Sequence, residues 1–240
     1  MAERSARDAG AGVPGAGAAP EAEAEAAPEA VPLADELAEV RVLESELLVR
    51  GRVWDVRRDR FEFGGEELVR DYLDHTGAVA VLALDAEERV LLIRQYRHPI
   101  AHRDWEIPAG LMDAPGEPGL AAAQRELAEE ADLRAERWDL LLELFLSPGG
   151  TSEAMRIFLA RELHPVAHDY VRGEEEAELV PRWVPLSEAV EAVLAGRVQN
   201  AVTASAVLAA WTARGRGWDT LRDPELPWTA REAARGERSR

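Results

Sequence analysis

Between Gly110 and Leu133 the chain places Glu126, Glu129 and Glu130 at spacings that share one face of a helix. At ~100° per residue, Glu129 falls about 60° to one side of Glu126 and Glu130 about 40° to the other. Leu120, Ala123, Leu127 and Ala131 form the adjoining stripe. The pattern predicts a helix over 118–131 whose apolar stripe faces a core and whose glutamates sit at the rim of that packed face.

Three carboxylates held together repel one another, and divalent cations relieve the repulsion. Hard oxygen ligands select Mg²⁺, Mn²⁺ or Ca²⁺ over zinc. Magnesium takes a few carboxylates together with water and substrate phosphate oxygens, the pattern of pyrophosphate-cleaving sites. A glutamate-rich helix taken alone is more often a solvated face; the residues ahead of this one change that reading.

Composition removes several function classes. There is no cysteine, so disulfides, thiolate metal sites and thiol catalysis are excluded. No apolar run approaches the ~20 residues a bilayer span requires, and the N-terminus lacks the basic-then-apolar order of a secretory signal. A cytoplasmic protein without membrane contact is expected. The formal net charge of -18 argues against general nucleic-acid binding. All 28 basic residues are Arg, which forks onto phosphate where Lys acts as a point charge.

Four regions are expected. Residues 1–38 form an Ala/Glu/Pro-rich tail that buries too little apolar area to order itself. In residues 39–74 apolar residues recur at short spacing, punctuated by Gly51, Gly64 and Gly65, which predicts a small antiparallel β subdomain. Residues 75–214 form the main domain, with strands near 78–84, 90–96, 104–107, 139–146, 155–163 and 179–184. Its later helices follow Ser187 as N-cap, ending at Gly196, and span 201–214. Residues 215–240 read as a polar tail with Trp218 and Trp228 as anchors. Strands with interleaved helices indicate an α/β (α+β) fold with a mixed sheet.

Gly110, Glu117, Arg125-Glu126-Leu127-Ala128-Glu129-Glu130 and Leu133 stand in the order of the signature box of the Nudix hydrolases, which this stretch resembles. The loop from Gly110 to Glu117 is one residue longer than the general pattern, and Asp132 replaces the closing Gly. Asp tolerates a left-handed helix end, although its charge opposes the helix dipole. The resemblance implies an α/β/α sandwich. It makes Glu126 and Glu130 the principal metal ligands, with Glu129 and the Ala109 carbonyl completing the site and Glu117 bracing Arg125.

The likeness continues in Arg94-Gln95-Tyr96-Arg97-His98-Pro99, in Trp105-Glu106-Ile107-Pro108-Ala109-Gly110 and in Ser147-Pro148-Gly149-Gly150-Thr151-Ser152-Glu153, which are similar to the ADP-ribose pyrophosphatase branch. That implies Glu153 as catalytic base, with Glu174, Glu175 and Glu176 as a fallback. It implies Arg70, Arg97 and Glu106 as substrate-binding residues and Mg²⁺ as metal, with Mn²⁺ as substitute. A homodimer formed through residues 39–74 also follows from it. Trp54 or Phe61 has a face that suits stacking on a base, although core packing is the commoner role of an isolated aromatic. The expected reaction is hydrolysis of ADP-ribose to AMP and ribose 5-phosphate. Cleavage of a nucleotide sugar or dinucleotide, and non-catalytic binding of ADP-ribose, are the alternatives.

Overall fold

The computed structural model describes residues 32–167, 170, 173 and 179–236. The N-terminal tail up to residue 31 and the acidic run Glu174, Glu175 and Glu176 lie outside the described residues. Of the unit Met1–Glu36, the described part is a short bend in which the Ala34 N–H donates to the Pro32 carbonyl. Leu37–Arg240 forms the other compact unit.

That unit is organised on two strands, β4 (Ala78–Ala83) and β9 (Ala154–Pro165), which pair in parallel with Ala78 opposite Met155. Every residue of β4 is buried. Ala78, Ala80 and Leu82 enter one core with Met155, Ile157 and Leu159; Val79, Val81 and Ala83 enter a second with Phe158 and Ala160. This double burial explains the near-continuous apolar runs, which carry no polar alternation because neither face meets water. The sheet is completed by β7 (Ala109–Leu111) beside β4 and by β8 (Leu133–Phe145) beside β9. One parallel and two antiparallel pairings make it mixed.

Helix α1 (Gly119–Ala131) lies over the second core, with Ala122, Ala123 and Leu127 buried and Leu120 and Ala131 packed at its margin. It stops at Asp132, whose φ of 55° and ψ of 34° give the expected left-handed end. The reversed backbone leads straight into β8, which therefore begins at Leu133, earlier than the apolar pattern alone indicates.

The first core is covered by α2 (Leu186–Leu194) and α3 (Ala201–Gly215). Ser187 does not cap α2. Strand β10 (Val180–Pro185) runs directly into the helix, Leu186 is buried, and its N–H donates to the Glu88 carbonyl. These contacts set the helix start one residue before the serine, which falls in the first turn. At α3 the Asn200 side chain accepts from the Thr203 N–H at 3.0 Å, a cap with the expected chemistry. A second sheet places β5 (Arg89–Arg97) between β10 and β6 (His102–Glu106).

Strands β1 (Arg41–Val49), β2 (Asp55–Phe63) and β3 (Glu66–Asp74) form an antiparallel meander. Cross-strand pairs such as Arg58–Asp71 at 2.7 Å line its exposed face. The end of β3 is sewn to the Ser-Pro-Gly loop. The Leu73 N–H donates to the Gly150 carbonyl, and the Ser152 N–H donates to the Leu73 carbonyl.

The segment after α3, read from the sequence as a tail, returns to the domain. Leu140 and Arg222 exchange backbone hydrogen bonds at 2.9 and 3.1 Å. Trp228 is only 7% exposed, with the guanidinium of Arg156 4.8 Å from its ring centroid and that of Arg231 5.6 Å away. Arg156, itself buried, donates to the carbonyls of Leu226 and Pro227. Helix α4 (Thr229–Gly236) then brings Arg231 to the carbonyls of Thr76 and Met112. A polar segment gives no periodic signal, so its anchoring depends on one tryptophan and its arginine partners. Replacing Trp228 with Ala should cost about 3 kcal/mol of stability, read as a lowered urea midpoint. An unchanged midpoint would show that the segment is not anchored there.

Candidate active site

Arg125 organises the glutamates of α1. Its Nε and Nη2 fork onto the two carboxylate oxygens of Glu117 at 3.1 and 3.0 Å, the two-point geometry that suits guanidinium and carboxylate. Hydrogen bonding from Arg125 holds the Glu117 carboxyl below its ordinary pKa, and the same contact raises that of Arg125. The pairing expected from the sequence is present, but Arg125 does more. Its Nη1 also donates to Glu126 Oε1 at 2.6 Å and to Glu129 Oε2 at 3.3 Å. Pattern alone places Arg125 beside the cluster; it does not say that one guanidinium serves three carboxylates.

Glu126 and Glu130 are 9% and 7% exposed. Glu130 Oε2 accepts the Ala109 N–H at 2.9 Å, which docks β7 on α1. A Cβ built at Gly110 would overlap the Glu126 carboxylate, so any side chain here must push that carboxylate aside. The donor set fits a hard divalent cation: carboxylate oxygens on one helix and the backbone of the Ala109–Leu111 strand facing them. Among the described residues no three carboxylate or imidazole groups close into a ready-made metal cage. In this structure Arg125 lies among them.

Beside this cluster Ala109, Gly110, Glu153, Arg97, Trp54 and His75 line a cleft of ≈ 550 Å³. Ala109, Arg97 and Glu153 also border an adjoining hollow of ≈ 320 Å³ with Glu106 and Thr203. The structure thus brings Glu153 into one cleft with the backbone next to the glutamates. The two substrate-binding candidates on β5 and β6 meet each other: Arg97 Nε and Nη2 donate to Glu106 Oε1 and Oε2 at 2.8 and 2.7 Å. Glu106 is buried, and the pair forms one wall of the smaller hollow.

Arg70 and Phe61 are not brought to this cleft within one chain. They line another hollow with Tyr72, Phe145 and Thr151. Alternation along β3 explains the separation, because Arg70 and Tyr72 share one face of the strand and Leu73, which borders the Glu153 cleft, is on the other. Trp54 does border the cleft, its ring centroid 5.8 Å from that of His75. His75 carries no motif signal in the sequence. A lone histidine at the mouth of a buried strand shows its position only once β4 and β9 are paired.

A mixed sheet between helices, with glutamates of α1 facing a backbone strand, is the arrangement expected of a Nudix fold. Comparison with known proteins agrees: residues 74–204 match the NUDIX domain. The chain is 37% identical over 201 residues to the ADP-ribose pyrophosphatase of Mycobacterium tuberculosis, covering 82% of this chain and 96% of that protein. It is 32% identical over 170 residues to the ADP-ribose pyrophosphatase of Bacillus subtilis, covering 70% and 91%. Among solved structures, an ADP compounds hydrolase superposes with a TM-score of 0.63 at 27% identity, covering 77% of this chain and 99% of that one. The chain belongs to the Nudix hydrolase family, whose members generally need divalent cations.

Gly110→Ala should drive the Glu126 carboxylate off its seat. A displacement near 1 Å at a catalytic group costs about 100-fold in turnover. The expected result is that loss in a steady-state assay with the melting temperature little changed. Wild-type turnover would show that the close approach does not matter.

Proposed function

We propose that this protein hydrolyses ADP-ribose to AMP and ribose 5-phosphate, using Mg²⁺, with Mn²⁺ as a working substitute. The observation that carries the reading is the meeting, in one cleft, of Glu153, Arg97 and the Ala109-Gly110 backbone against the glutamates of α1. The names of the two bacterial relatives support ADP-ribose as the substrate. The absence of cysteine suits a cytoplasmic setting.

Glu126, Glu129, Glu130 and the Ala109 carbonyl would hold the cations, displacing Arg125 from Glu126 and Glu129. The chemistry such cations supply when bound is neutralisation of the diphosphate and acidification of water. Glu153, where the Ser-Pro-Gly loop enters β9, accepts the proton of the attacking water. The water oxygen bonds to one phosphorus, the bridging P–O bond breaks, and the leaving phosphate departs with that electron pair. Arg97, oriented by the buried Glu106, binds the phosphates or the ribose next to them. Glu106 thus acts through Arg97 on substrate.

Purified protein incubated with ADP-ribose and Mg²⁺ should release AMP, and EDTA should abolish the release. Glu126→Gln or Glu130→Gln should nearly eliminate turnover. Glu153→Gln should lower kcat about 100-fold or more, the range for a lost general base. Near-normal rates in all three variants would sink the assignment.

The same reading includes a homodimer built through β1–β3. Supporting it, Val49, Phe63 and Val69 on this sheet are 56%, 58% and 49% exposed in the single chain. A second copy also gives Arg70 a place, at the partner's substrate. Sedimentation at micromolar concentration should give the mass of two 26.4 kDa chains. A fully active monomer would overturn this.

A further inference from the structure

Strands β4 and β9 run in parallel with Ala78 opposite Met155. The residues just ahead of each strand therefore emerge at the same edge of the sheet. His75 leads into β4 and Glu153 leads into β9, and the pairing alone puts them side by side. His75 Nε2 lies 3.8 Å from Glu153 Oε1. The two approaches are tied together: the His75 N–H donates to Ser152 Oγ at 2.9 Å, and the Ser152 N–H donates to the Leu73 carbonyl.

The imidazole has a defined tautomer. The Gly77 N–H donates to His75 Nδ1 at 3.0 Å. A backbone N–H can only donate, so Nδ1 is the acceptor and a neutral ring carries its proton on Nε2, facing Glu153. Burial lowers the pKa of His75, with Glu153 and Asp74 opposing that shift, which keeps the ring in its neutral form near pH 7. The ring is nearly buried, and Trp54 covers it at a tilt of 33°.

We propose that His75 is a positioning residue for Glu153, its Nε2–H holding the carboxylate in the orientation from which it accepts the proton of water. This deepens the proposed function and rests on Glu153 being the base. The distance of 3.8 Å is longer than a hydrogen bond. Contacts of this kind tighten when substrate closes the loop. The arrangement follows the general logic of a base held in turn by a third group.

Two substitutions separate the nitrogens of the ring. In His75→Asn the side-chain oxygen reaches the place of Nδ1 and still accepts from Gly77, but nothing reaches Glu153. In His75→Gln the side-chain amide reaches the place of Nε2 and still donates to Glu153, but the Gly77 N–H loses its acceptor. With ADP-ribose and Mg²⁺, His75→Asn should lower kcat about tenfold or more with little change in KM, and His75→Gln should recover most of that loss. In a Glu153→Gln background the difference between the two should vanish. Melting temperatures measured alongside identify any variant that fails to fold. The opposite order, with Asn active and Gln impaired, would show that His75 only satisfies Gly77. Equal losses, or no loss in either, would likewise overturn the proposal. If Glu153→Gln alone keeps normal turnover, the base assignment has failed instead, and the single His75 variants report that separately.

Discussion

Parallel strands cannot be joined by a tight turn, and the connection between them must leave the sheet and return. In this protein that connection runs from Ala83 to Ala154 and contains Arg97, Glu106, Ala109, the glutamates of α1 and Glu153. The pairing of β4 with β9 is therefore the constraint on which the rest depends. It is buried on both faces, so its register is fixed by two cores at once. A slip of one residue would exchange the small and large side chains of β4 between the cores. The same register that satisfies packing sets Ala109, Glu153 and His75 at one edge.

Electrostatics then acts on a frame that packing has already made. Arg125 lies among Glu117, Glu126 and Glu129, so one guanidinium offsets part of the negative charge of three carboxylates. The Ala109 N–H performs the same service for Glu130. A strongly acidic chain can thus hold carboxylates at the rim of a core by giving each a hydrogen-bond donor. Arginine repeats this role elsewhere: at the Arg97–Glu106 wall, at Arg156 beneath Trp228, and across β1–β3.

The α1 helix and its glutamates were legible because helical periodicity and apolar patterning point the same way at 118–131. The strands of the double-sided core were legible as apolar runs, though not the length of β8, which depends on the left-handed turn at Asp132. The Glu117–Arg125 pair and the choice of Glu153 came from the family resemblance, and the structure shows the pair and puts Glu153 beside the cleft. Three features were hidden. The sharing of Arg125 among carboxylates depends on side-chain rotamers, which spacing does not encode. The start of α2 was displaced from Ser187 because tertiary burial of Leu186 outweighed a local cap. His75 meets Ser152 and Glu153 from 77 residues away or more, a contact that only the pairing of β4 with β9 creates.

The segment that carries Arg222, Trp228 and Arg231 has a consequence for how the molecule is made. These residues leave the ribosome after every strand they close. Until they do, the outer edge of β8 lacks its bridge at Leu140, and Arg156 lacks the carbonyls of Leu226 and Pro227. Arg231 donates to the carbonyls of Thr76 and Met112, two residues at the end of the sheet where His75 and Glu153 lie. The nascent chain can assemble β4, β9 and α1 before this segment is made, and the seal forms only after it. The interval between is when an open strand edge is exposed to other chains.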